Sequence, residues 1–249
     1  MAVLETRYKI KHQRGSVLVE AVIALPVFFF ILFGIVEYGY AYRAKATLNL
    51  ATFEAVRAGT LNNARLAPIK SALAIGMAPQ YMKGGTGLGS FQAARARAWA
   101  LMVGIDNIAG APDSINIVAP TSSTFAKFKE SVNGQDIIPN DNLYWRSSET
   151  ESVNISGVSR EVSIQDANIL KIKTLWCHRL ITPGLDRIVY LTILNPPGTL
   201  GNNISEEQKI CNRLRFVGSF VGSNNYYVAI TSQSVMRMQS PVLSEGQLP

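Results

Sequence analysis

Two histidines and two cysteines are all that 249 residues offer of the side chains that most often carry proton transfer, thiol chemistry and zinc ligation. His12 lies in the basic N-terminal stretch, which leaves His178 for the rest of the chain. There is no G-x-S-x-G elbow and no H-E-x-x-H pair, so the sequence lacks the signatures of α/β-hydrolases and zincins. The run 83–90 (KGGTGLGS) lacks the Gly-Lys-Ser/Thr ending of a phosphate-binding loop and follows no strand. Cys177 and His178 are adjacent and Cys211 is distant, which is not the paired spacing of a zinc site. Neighbours on a strand also point to opposite faces, which argues against a Cys177–His178 catalytic pair. Glu206 and Glu207 read as solvated charges at a helix start. The sequence therefore predicts no catalytic residue, no metal site and no cofactor.

Charge is also sparse. Only 16% of residues are Asp, Glu, Lys or Arg, and the formal net charge is +7. Arg7, Lys9, Lys11 and Arg14, less Glu5, place +3 of this in the first 15 residues and leave +4 for the remainder. The remaining basic residues are scattered, without the stripe that a nucleic-acid binder presents, so no nucleic-acid partner is expected.

What the chain does have is one long apolar run. Residues 17–42 read VLVEAVIALPVFFFILFGIVEYGYAY, and Glu20 is the one charge within 17–36. About 20 helical residues cross a hydrocarbon core roughly 30 Å thick. Tyr38, Tyr40 and Tyr42, followed by Arg43 and Lys45, fit an aromatic belt and a return to water. An ordinary signal peptide has an apolar region of about 7–15 residues followed by a small-residue cleavage site, and this run is longer and lacks that site. Two readings stand: an uncleaved signal anchor, or a prepilin-type leader cut before the apolar core.

Specific residues support the leader. It is short and basic and ends in Arg14-Gly15, with Ser16 next and Glu20 five residues after the glycine. Gly15 lets an extended backbone enter a protease cleft with little steric hindrance. A carboxylate at the centre of a membrane helix costs about 2.5–3.5 kcal/mol, and less near an end, so it calls for a partner. Cleavage after Gly15 would create an α-amine at Ser16 able to pair with Glu20 of the same or a neighbouring subunit. Snorkelling of Glu20 to the cytoplasmic interface is the competing account, and the residues alone leave both open. Four Lys/Arg precede the span and Arg43, Lys45 and Arg57 follow it, a slight bias toward a cytoplasmic N-terminus.

Together Arg14-Gly15, Val19-Glu20-Ala21, Leu25-Pro26, Phe33-Gly34, Glu37 and Gly39 resemble the N-terminal signature of TadE-like proteins. These are pseudopilins of the tight-adherence (Flp-type) pilus system, related to the TadG-like proteins. The strong resemblance covers about residues 14–60, with a weaker one at 230–241 (ITSQSVMRMQSP). It implies cleavage between Gly15 and Ser16 by a prepilin peptidase. It also implies a single-pass subunit of the bacterial inner membrane, with a cytoplasmic N-terminus, a periplasmic C-terminal domain and other pilus and pseudopilin subunits as partners. The implied role is assembly, priming or anchoring of the pilus. Ala21 stands where major Flp pilins have Tyr, and those pilins are far shorter, so the chain does not resemble the main filament subunit. Ser16 in place of Phe, and the early Pro26, separate it from the secretion pseudopilins. A signal-anchored periplasmic binding or adhesion domain is the alternative from a different class.

Pro26 removes a backbone hydrogen bond to Val22, which predicts a kink that either aids packing or is harmless. Ala44, Leu48, Ala51, Ala55 and Gly59 recur at spacings of three and four, so the helix is expected to continue to about residue 59 with one small apolar face. Further helices are expected at 67–78, at 91–103 capped by Ser90, at 122–132, at 185–194 (helix preferred to strand), and after Ser205, with Gln208 completing a capping box. Strands are expected at 115–118, 170–176 and 226–231, with short strands in the loops of 133–160 and a loose tail from 239. Cys177 and Cys211 are expected to be bridged in an oxidising compartment, whereas a periplasmic thiol enzyme would need them free. The predicted fold class is α+β: a leader (1–15), a transmembrane and extended helix (16–60), and a pilin-like head (61–249) with a small antiparallel sheet and several helices.

Overall fold

A computed structural model describes residues 16–82, 84–85, 87–108, 113–155, 157–196, 204–217, 225–243 and 248. The expected leader, Gly15 included, lies outside the described residues. Helix α1 (Ser16–Leu61) is a single 46-residue element, about 69 Å long at ~1.5 Å per residue. It stays helical through Pro26. It ends two residues past the expected residue 59: Asn63 and Ala64 take positive φ (57° and 60°), and the Asn62 side chain donates to the Ala58 carbonyl.

The small face of α1 does what its periodicity predicts. Ala44, Leu48, Ala51 and Ala55 are fully buried. Helix α2 (Leu66–Met77) folds back along α1 and is followed by a short 3-10 turn (Ala78–Tyr81). A Cβ on Gly76 would sit 2.6 Å from the Ala51 Cβ, so the two helices approach as closely as their backbones permit. On the other side, α1 lies on a three-stranded antiparallel sheet ordered β1 (Ile115–Ala119), β6 (Ile169–Arg179), β7 (Tyr227–Arg237). The central strand, β6, contains the alternating apolar and basic run, and its Leu170, Ile172 and Trp176 join Leu48, Ala51 and Val56 in the main core. Thr52 and Thr174 share a buried hydrogen bond of 2.7 Å across the helix–sheet contact. The fold is mixed α and β, as predicted.

Four local expectations need correction. Helix α3 (Leu88–Asp106) has Gly87 at its N-cap, and Ser90 lies inside its first turn, its single hydroxyl proton shared between the Gly85 and Gly87 carbonyls instead of capping. The helix expected over 122–132 stops early, as α4 (Ser122–Phe128). Asn133 and Gly134, both at positive φ, make a two-residue hairpin that pulls β2 (Glu130–Val132) onto β3 (Gln135–Ile138). The capping box at Ser205 is only half formed at α7 (Glu206–Val217), because Gln208 turns away to bond Tyr227 and Ala229 of β7. The tail is not loose at its start. Gln239 and Ser240 donate to the Thr60 carbonyl, and Val242 of β8 (Val242–Leu243) is fully buried beside β3.

The remaining elements are the hairpin β4 (Glu151–Ile155) and β5 (Val158–Val162), the short α5 (Ile164–Ala167), and α6 (Leu185–Val189) running into a π turn (Tyr190–Leu194).

Candidate assembly helix and its junction with the head

The strand order and helix contacts set a ruler along α1. A Cβ on Gly59 would meet Leu170, Thr52 bonds Thr174, the Lys45 ammonium donates to the Thr231 carbonyl, and Glu37 bonds Ile181. Strand β6 therefore descends α1 in the antiparallel sense. About 33 Å of helix from Gly59 back to Glu37 match about 36 Å of extended chain from Leu170 to Ile181. The end of β6 and the turn after it reach the level of Glu37.

Below that level α1 is bare. Residues 18–36 are exposed, apart from the half-buried Gly34, and they form about 28 Å of helix at ~1.5 Å per residue. That length matches a hydrocarbon core of roughly 30 Å. Among the described residues this is the one helix long and apolar enough to cross a membrane. It fits a single-pass anchor followed by a C-terminal head.

Glu20 and Pro26 both lie on the bare stretch. Glu20 is exposed and, among the described residues, has no hydrogen-bond or ion-pair partner. Ile23, Ala24, Val27, Phe28 and Ile31 line an open apolar face beside it. Ser16 is the first residue of α1, and Gly15 lies outside the described residues.

Glu37 closes the junction. Its side chain is 5% exposed and accepts three hydrogen bonds: from the Ile181 amide (2.9 Å), the Thr182 amide (2.9 Å) and the Thr182 hydroxyl (2.5 Å). A buried carboxylate is tolerated when its oxygens are satisfied in this way. Sequence reasoning places Glu37 in the family resemblance but gives it no task. The one signal available is its position, a carboxylate directly after an apolar run.

The two cysteines are joined. Cys177 of β6 and Cys211 of α7 form a disulfide with Cα atoms 5.4 Å apart, packed among Ile105, Leu175, Ile210 and Leu214. The thiol-enzyme alternative, which needs both free, does not hold. Next to the bridge, burial pushes the His178 imidazole down, with the Glu37 charge acting in the opposite sense, and among the described residues the buried His178 Nε2 has no hydrogen-bond partner. Burial raises the Tyr81 phenol, whose oxygen accepts from Trp176 Nε1 at 3.1 Å.

Tyr40, Arg43, Arg97, His178 and Arg179 line a cavity of about 440 Å³ where the helix enters the head. Arg43, Arg97 and Arg179 are exposed. Among the described residues none of the three has a carboxylate partner.

No curated protein and no solved structure matches the chain. The 230–241 run, where the sequence shows its weaker resemblance, lies outside the family match that was found. That match falls on the bare stretch of α1 and most of its buried face: residues 15–57 fit the family described as TadE-like protein, and this segment of the chain is TadE-like.

Proposed function

We propose that the chain is a minor pilin, or pseudopilin, that takes part in assembly, priming or anchoring of a tight-adherence (Flp-type) pilus. In this reading a prepilin peptidase cuts between Gly15 and Ser16. The helix then sits in the inner membrane with the head in the periplasm. The TadE-like family is a structural one associated with the pilus machinery, and a structural subunit rather than an enzyme is the role proposed here.

The observation that carries the reading is the pairing of a TadE-like segment with an unpartnered carboxylate on its bare helix. Among the described residues Glu20 has nothing to bond, and a carboxylate in an apolar span calls for a partner. The new α-amine of Ser16, in the same or a neighbouring subunit, supplies one. Added Cβ atoms at Gly34 and Gly39 would meet nothing within 4 Å, so their small size serves no contact among the described residues. It suits close approach of another helix. Pro26 frees the Val22 carbonyl and gives the helix a place to bend during such packing.

The test is piliation in the native host with Glu20→Ala and Glu20→Asp. Glu20→Ala should leave membrane levels and the disulfide intact while surface pili are lost, and Glu20→Asp should retain part of the function. Normal piliation with Glu20→Ala would support the uncleaved, signal-anchored binding or adhesion domain instead.

A further inference from the structure

The head carries a second apolar surface that the pilin reading does not use. Ile181, Ile188, Leu191 and Ile193 are 55%, 46%, 47% and 68% exposed. They belong to one continuous segment, the turn after β6 followed by α6 and its π turn. The opposite face of this segment is committed to the head: Leu180, Tyr190 and Leu194 form a small buried cluster against Tyr226 and Val228. The Asn212 side chain also ties the segment to α7 through the Leu194 carbonyl. The segment is therefore amphipathic and held in place, and among the described residues nothing covers its outer face.

Its depth is fixed by the Glu37 clamp. Ile181 donates its amide to the carboxylate that immediately follows the bare apolar stretch. On the ruler set by β6, Ile181 lies about 1.5 Å, one residue of rise, beyond Val36. Polar headgroups extend roughly 5–7 Å beyond each side of a hydrocarbon core. The segment starts within that layer, beside α1. Basic residues flank it there: Arg187 is exposed on α6, and Arg43 and Arg179 stand at the mouth of the junction cavity without carboxylate partners. Aliphatic side chains on one face with arginines at the border are the pattern of an interfacial membrane element.

We infer that residues 181–193 form a second membrane contact, lying on the surface of the bilayer that α1 crosses. Ile188, Leu191 and Ile193 enter the headgroup–acyl boundary, and Arg43 and Arg179 face the phosphates of anionic lipids. Two anchors at one depth, the helix and this segment, set the tilt of the head on the membrane. The inference rests on the membrane placement of α1 proposed above.

Spin labels decide it in the full chain, one subunit per nanodisc of phosphatidylethanolamine and phosphatidylglycerol, with the native disulfide kept oxidised. Nitroxides are placed singly at Ile188→Cys, Ile193→Cys, Phe30→Cys and Val132→Cys, all exposed positions. The readout is collision with oxygen, which partitions into lipid, against collision with a water-soluble nickel chelate. The label at 30 reports the span, and the one at 132 reports the far end of the head. Labels at 188 and 193 should favour oxygen several-fold, as at 30, and the label at 132 should favour nickel. If 30 favours oxygen while 188 and 193 behave like 132, the inference is overturned and the membrane helix stands. If 30 itself favours nickel, the placement of α1 fails, and the inference with it. Adding Arg43→Gln and Arg179→Gln should move the label at 188 toward nickel, and no movement would remove the arginines from the contact.

Discussion

Glu37 and Thr182 lie 145 positions apart and meet through two hydrogen bonds, one to the Thr182 amide and one to its hydroxyl. This contact, with the neighbouring Ile181 amide, welds α1 to the end of the central strand. Glu37→Ala would leave two amides and a hydroxyl without their acceptor. Bonds to a charged group contribute about 1.5–3 kcal/mol each but do not add independently, so a loss of about 2–4 kcal/mol is expected. Denaturant unfolding in micelles measures it. Glu37→Gln keeps one carbonyl acceptor and should lose less. Hydrogen exchange should show Ile181 and Thr182 deprotected first, and unchanged protection there would contradict the weld.

The disulfide closes a sequence separation of 34 residues. In the chain-entropy model a loop of this size contributes about 3–4 kcal/mol. Replacing Cys177 and Cys211 together with Ser should lower the unfolding midpoint accordingly. Alkylation without reductant should modify neither cysteine in the native protein.

Gly76 and Gly39 make a contrasting pair. Gly76→Ala puts a Cβ 2.6 Å from the Ala51 Cβ and 2.8 Å from its Cα, and the nearest atoms cannot swing aside. Overpacking of this kind costs about 1–3 kcal/mol, more than the roughly 1 kcal/mol that Ala gains over Gly in a helix. Gly39→Ala meets nothing within 4 Å and should be neutral or slightly stabilising in the isolated subunit. Equal thermal shifts for the two would contradict the close α1–α2 approach.

His178 sets a pH dependence. Burial holds its folded pKa below the ordinary 6.5, so the unfolded chain takes up a proton first as pH falls. Stability should be unaffected by this group well above pH ~6.5, and should decline as pH drops through ~6.5 toward the folded value. His178→Gln should flatten that decline in a melting series from pH 7.5 to about 5.

Much of this was legible because it is local or periodic. The small face of α1 shows in the spacing from Ala44 to Gly59, and β6 in its alternating lysines. The cysteine pair was expected for a head exported to an oxidising compartment, and the two are bridged. What escaped was contextual. A helical run over 122–132 looked continuous, yet the Asn133-Gly134 turn outweighs it once β3 supplies a partner strand. Gln208 fits a capping box by spacing, but β7 offers its side chain two backbone bonds. The task of Glu37 depends on amides 144 and 145 positions away, which no local pattern encodes.

The proposed function turns on cleavage just before α1, at the start of the TadE-like segment. N-terminal sequencing of the protein purified from the membranes of a host that has the prepilin peptidase tests it most directly. The expected result is a chain that begins at Ser16. A chain that still begins at Met1 in that host would contradict it.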